Sequence, residues 1–229
     1  VGGGSAATRA ESVFQGEDFY NMAIFDPSSE CYISVDVETA GPAPCRYSML
    51  SIGACVITNP EQRFYIELKP VNDDAVPQAL EITGLSMERL AEEGAPPEEA
   101  MRHFDTWLSQ VAMPSRKPIF VAFNAPFDWM FVSDYFHRFL GHNPFGHSAV
   151  DTKALMMGLA HVPRQETSMA ALERRYPQLQ RLTHHALEDA LQQAELLRLV
   201  LAEFDETLNG GEDGDQIHTL PGGGFAAGH

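Results

Sequence analysis

Basic residues are scarce in this 229-residue chain: 15 Lys and Arg stand against 32 Asp and Glu, for a formal charge of -17. A protein that coats nucleic acid needs a dense cationic surface to displace phosphate counterions, so the balance argues against that mode of binding. An enzyme that touches a few nucleotides at a strand end stays open, because carboxylates clustered in a site add negative charge that bound cations offset. Taken alone, the charge reads simply as solubility. Long apolar runs are also missing. Stretches such as Ile119–Phe123 fall well short of the ~20 residues a spanning helix needs. The N-terminus has no basic stretch followed by an apolar one, so neither a membrane partner nor Sec export is expected. Cysteine is sparse and odd in number: Cys31, Cys45 and Cys55 form no CxxC. That disfavours a disulfide framework and a zinc-thiolate site, and it fits the reduced thiols of a cytoplasmic protein. No internal repeat is visible.

What is present is enough for one core. Hydrophobic residues make up 44% and aromatics 10% of the chain, the composition of a globular protein, and the length suits a single domain with tails. The Gly/Ala/Ser-rich start and the Gly-rich acidic end predict a flexible leader over 1–28, a folded domain over 29–208 and a flexible tail over 209–229. Within the domain, Tyr32–Val37, Ser48–Thr58 and Gln62–Leu68 read as successive antiparallel strands. Helices follow over Ser86–Glu92 and Pro97–Val111, then a buried strand over Pro118–Phe123 and a helix over Pro126–Leu140. A short strand at Ala149–Asp151 precedes helices at Thr152–Ala160, Ser168–Arg175 and Ala186–Phe204. This order is that of an α/β fold.

Three segments hold the candidate chemistry. In the first strand, period two sends Ile33, Val35 and Val37 to one face and Ser34, Asp36 and Glu38 to the other. Two carboxylates so close repel unless water or a cation separates them, and hard divalent cations prefer oxygen ligands. A solvated strand face is the plain alternative. The second segment runs from strand to helix through Asn124, a plausible cap, and Pro126. Asp128 then lies in the first helical turn, where the helix dipole alone could explain it. The helix is nevertheless apolar nearly all round, which leaves few wet positions for a carboxylate. The third segment is Thr183-His184-His185-Ala186-Leu187-Glu188-Asp189. Here Leu187, Ala190, Ala194, Leu197 and Leu201 form the apolar stripe. Asp189 lines up with Gln193, Leu196 and Val200 on its margin, where a carboxylate could be partly desolvated and would then need a partner such as a metal, or could stay wet as a plain helix-start acid. Either histidine could serve as a general base. Elsewhere, His137, His142 and His147 keep no helix face, and Asp134 and Asp151 read as structural.

Asp-x-Glu on the first strand, Asn-x-x-x-Asp entering a middle helix and His-x-x-x-x-Asp entering the last one together resemble the DEDDh 3′–5′ exonucleases. That superfamily includes polymerase proofreading subunits and ribonuclease T-like enzymes. The residues carrying the likeness are Asp36, Glu38, Asp128, His184 and Asp189. Glu81-Ile82-Thr83-Gly84-Leu85-Ser86 resembles the family segment that cradles the terminal nucleotide, so the likeness covers roughly residues 30 to 205. It implies a ribonuclease H-like fold, a five-stranded mixed sheet flanked by helices. The implied activity is removal of nucleoside 5′-monophosphates from single-stranded DNA or RNA 3′ ends. Two Mg²⁺ ions, for which Mn²⁺ may substitute, would be held by Asp36, Glu38, Asp128 and Asp189, with His184 as base. Thr83, Leu85 and Asn124 are the implied substrate contacts. Helical spacing alone would pair His185 with Asp189, whereas the family's five-residue spacing selects His184. Two rival readings are a metal-dependent phosphodiesterase for small nucleotides and a non-catalytic nucleic-acid-binding module on the same fold. A homodimer and a polymerase partner both remain open, since neither is legible in the sequence.

Overall fold

The computed structural model describes residues 25–26, 28–113, 115–179 and 183–209. Most of the expected leader and tail lie outside the described residues. Phe25 is an exception: it falls within the stretch assigned to the leader, yet it is buried and packs edge-on against Tyr32 at 4.3 Å between ring centroids.

Strands β1 (Glu30–Thr39), β2 (Met49–Val56) and β3 (Asn59–Glu67) form the antiparallel meander that the β-branched runs predict. Next come α1 (Pro77–Thr83), α2 (Met87–Glu93), α3 (Pro97–Ala112), β4 (Lys117–Ala122) and α4 (Pro126–Leu140). The chain finishes with β5 (Ala149–Asp151), α5 (Thr152–Leu159), a 3₁₀ turn at Arg164–Thr167, α6 (Met169–Arg175) and α7 (Ala186–Asn209). The sheet order is β3-β2-β1-β4-β5, with β4 parallel to both β1 and β5. The five-stranded mixed sheet expected from the sequence is therefore the one observed.

Helix α1 escaped the sequence reading. It has seven residues and buries none of them, so no apolar periodicity announces it. Its punctuation is nevertheless present, with Pro77 at the start and Gly84 closing the end in a left-handed conformation at φ 66°.

Because β1 lies in the middle of the sheet, both of its faces are covered. Ile33, Val35 and Val37 pack with Ile52 and Ala54 against Met101, Phe104 and Leu108 of α3 and Phe131, Val132 and Tyr135 of α4. On the opposite face Tyr32, Cys55, Ile57 and Val121 meet Ala194, Leu197 and Leu201 of α7. Three layers result, with α7 lying over the face that carries Ser34, Asp36 and Glu38. Ser34 donates its hydroxyl to the carbonyl of Ala190 at 2.8 Å, tying strand to helix in this interface.

The close seating of α7 depends on Gly53, which pairs with Asp36 across β1 and β2. A Cβ placed on Gly53 would lie 2.1 Å from the Ala186 carbonyl carbon and the Leu187 nitrogen. Backbone cannot yield as a flexible side chain does, so Gly53→Ala must lift the first turn of α7 from the sheet. The expected cost is about 1–3 kcal/mol. It should appear as a lower urea midpoint with an unchanged slope, and an unaltered midpoint would refute this account of the packing.

Candidate active site

The C-terminal half of β1, the first turn of α4 and the start of α7 converge on one cluster of carboxylates. Pleating turns Asp36 and Glu38 toward α7, and Glu38 is only 8% exposed. Asp36 is half-buried, with Oδ1 accepting a hydrogen bond from Gln193 Nε2 at 2.6 Å. Asp128 is 5% exposed and lies in register with Phe131, Val132 and Tyr135 on the buried stripe of α4. Its Oδ1 accepts the Val37 backbone N–H at 3.1 Å, so this helix-start acid is fastened directly to β1. The plain alternative of a solvated strand face is thereby excluded.

One local expectation needs correction. Asn124 is not a side-chain cap: Ala125 occupies the cap position of α4 without a side-chain hydrogen bond. Asn124 is exposed and left-handed at φ 68°, and its carbonyl accepts from Phe127 N at 3.1 Å. Of the two readings of Asp189, the desolvated one holds, since the residue is 3% exposed. Gly53 lets the helix start settle onto the sheet, and the segment leading into α7 folds over the carboxylate. Asp189 Oδ1 accepts from Thr183 N at 2.8 Å and from its hydroxyl at 3.3 Å, while Oδ2 accepts from His184 N at 3.1 Å.

These hydrogen bonds give the His-x-x-x-x-Asp spacing a physical meaning. The Asp189 carboxylate grips the backbone just before the helix and holds His184 in a left-handed conformation at φ 58°. His184, Glu38 and Asp189 each offer a ligand atom within 4.8 Å of the others. His185 turns elsewhere and stacks on Tyr65 of β3, with centroids 4.5 Å apart and planes inclined by 21°. Adjacent histidines therefore occupy different surroundings. Thr83 and Leu85 do not join the cluster. Thr83 Oγ1 accepts from Leu85 N at 3.2 Å, and Leu85 packs beside Ala40, Leu50 and Leu90, bordering the chain just beyond β1.

Sequence reading assigned no role to Gln193, which is 7% exposed and bridges Asp36 to the end of β4. Its place four residues after Asp189 was the available signal, because that spacing puts both on one helix face.

Electrostatics expose the cost of this arrangement. Burial, followed by repulsion from Asp128, Glu38 and Asp189, raises the Asp36 pKa well above the usual carboxylate range, and the Gln193 hydrogen bond opposes the rise. Burial and then Asp189 push Glu38 to about 7. Asp128 is pushed to about 8, chiefly by burial, despite the opposing backbone N–H groups of Val37 and Asp128. Acids so placed favour protonation or a neighbouring cation. Four carboxylates supply only hard oxygen donors, the set that suits Mg²⁺ or Mn²⁺. The residues present therefore fit a divalent-metal centre.

A mixed sheet of this order, with carboxylates from α4 and α7 meeting those on the C-terminal half of the central strand β1, defines a nuclease of the ribonuclease H-like class. The RNase T-type exonuclease family model matches residues 33–197, and the chain belongs to that family. The chain is an exonuclease, the class of enzyme that the resemblance implied. It is 45% identical over 171 residues to the 3′–5′ DNA exonuclease Cap18 of Escherichia coli, an alignment covering 75% of this chain and 91% of that protein. The nuclease domain of 3′hExo, a DEDDh family member bound to rAMP, superposes with a TM-score of 0.62 at 12% identity, covering 80% of this chain and 94% of the other. E. coli exonuclease I in complex with a dT13 oligonucleotide gives 0.64 at 15% identity, over 80% of this chain and 43% of the larger one. No helix among the described residues is long and apolar enough to cross a membrane.

The raised acids predict a pH dependence of stability. Glu38 and Asp128 titrate near 7 and 8 in the fold but near about 4 when unfolded. The folded state thus holds protons that the unfolded state has released, and the metal-free protein should lose stability as pH rises from about 5 to 8. Thermal unfolding in EDTA should show this fall. Mg²⁺ or Mn²⁺ should restore more stability at pH 8 than at pH 5, and an equal effect at both pH values would contradict the assignment.

Proposed function

We propose that the chain degrades single-stranded DNA from its 3′ end, releasing nucleoside 5′-monophosphates with two divalent cations held by Asp36, Glu38, Asp128 and Asp189. Convergence of these four carboxylates in a largely buried cluster carries the proposal, because their repulsion gives cations a site. The preference for DNA rests on the 45% identity to a DNA exonuclease. Asp36 is the acid most crowded by the others and would help to hold both cations. Glu38 and Asp189 complete the site beside His184, and Asp128 supports it from α4.

When bound, such cations supply Lewis-acid charge to the attacking water and to the leaving oxygen. His184 accepts the water's proton on an imidazole nitrogen, and its exposure lets that proton pass on to solvent. Attack forms a new P–O bond on the terminal nucleotide and breaks the bond to O3′ of the shortened strand. Asp189 acts twice, as a donor to the cation and as the anchor that fixes the His184 backbone. Thr83 and Leu85 border the place for the terminal sugar or base, and Asn124 lies exposed at the start of α4 for the strand beyond it.

Oligonucleotides labelled at the 5′ end should give a descending ladder with single-stranded DNA in Mg²⁺ and no cleavage in EDTA. RNA, duplex ends and a chromogenic small diester should be poorer substrates. Asp36→Asn should abolish turnover while the protein remains folded. Persistent cleavage in the metal-stripped enzyme would overturn the reading.

The two histidines provide a separate test. His184→Ala should lose about 10²- to 10⁴-fold in single-turnover rate, the usual effect of removing a general base. His185→Ala should lose far less, because its ring is engaged with Tyr65. A crippled His185 variant beside an active His184 variant would reverse the assignment.

A further inference from the structure

The geometry points to Gln193 as a positioning residue that sets the orientation of the Asp36 carboxylate for cation binding, an inference that rests on the exonuclease reading above. Gln193 projects from α7 and is buried at 7% exposure. Its amide makes two hydrogen bonds: Oε1 accepts from Phe123 N at 2.8 Å, and Nε2 donates to Asp36 Oδ1 at 2.6 Å. Phe123 is the first residue beyond β4.

The direction of the amide is decided by chemistry. A backbone N–H can only donate, so the Gln193 oxygen must face Phe123 and its NH₂ group must face Asp36. One side chain therefore joins α7, the end of β4 and the middle of β1. A carboxylate has about four lone-pair sites. Using one of them for a fixed amide donor restrains rotation of the group and leaves the others for cations. The uncharged amide does this without competing as a cation, as a lysine would. Partners of ligating carboxylates act in this manner in metal sites generally.

Gln193→Met keeps the length and burial of the side chain but removes both the donor and the acceptor. At saturating Mg²⁺ it should reduce kcat by about 10- to 100-fold. Mn²⁺ affinity, measured by calorimetry without substrate, should weaken by a similar factor of about 10 to 100, while KM for the oligonucleotide should stay unchanged. Leu197→Ala, which opens the core on the same helix away from the carboxylates, is the comparison for a merely structural effect. It should lower Tm while leaving kcat and cation affinity intact. If Gln193→Met fails to fold, Gln193→Ala replaces it in the same measurements.

A folded Gln193 variant with native kcat and native Mn²⁺ affinity would overturn the inference. Equal kcat losses in the Leu197 and Gln193 variants at equal Tm would do so too. Should the wild-type protein bind no Mn²⁺ in the same calorimetry, it is the metal-dependent reading beneath the inference that fails.

Discussion

Mutual repulsion among buried acids is the constraint around which this fold is arranged. Asp36, Glu38, Asp128 and Asp189 come from three elements far apart in sequence, and tertiary packing presses them together where water screens them poorly. Burial first, and repulsion from neighbouring acids after it, raises the pKa of Asp36, Glu38 and Asp128, the electrostatic signature of a site built for positive charge. The protein offsets part of the strain itself, through backbone N–H groups on Asp128 and Asp189 and the Gln193 amide on Asp36. These donors are neutral, so they orient the acids without filling the place of a cation.

The same hydrogen bonds reconcile local geometry with function at the start of α7. A helix that began two residues earlier, at His184, would carry both histidines. Instead, Asp189 reaches back to the N–H groups of Thr183 and His184, and the chain turns through a left-handed residue before Ala186. One imidazole is left beside Glu38 and Asp189 while the next is withdrawn onto Tyr65. Gly53 underlies this arrangement, because only a residue without a Cβ allows the helix backbone so close to β2.

The strongly acidic composition is consistent with this organisation. A chain carrying a formal charge of -17 has little means of holding a polyanion along its length. Such a protein gains from engaging one strand terminus at a cation-bearing site, where the local charge differs from that of the whole molecule. Arg89 and Arg175, which could otherwise meet phosphate, are paired with Glu67 and Glu203.

Sequence by itself determined the order of the elements, the alternation that places Asp36 and Glu38 on one face and the helical phases of the core. These follow from local periodicity and turn chemistry, which act over a few residues. It also carried the five residues of the family pattern, because their types and spacing are linear properties. Helix α1 was hidden, since a short exposed helix leaves no apolar stripe. Burial of Asp189 was left open between two readings, because a helical wheel shows a residue's angle but not which neighbour covers it. Only the tertiary structure decided the separation of His184 from His185, the seating of α7 on Gly53 and the bridge from Gln193 to Asp36. Each depends on atoms brought together from distant parts of the chain, and no local pattern encodes those distances.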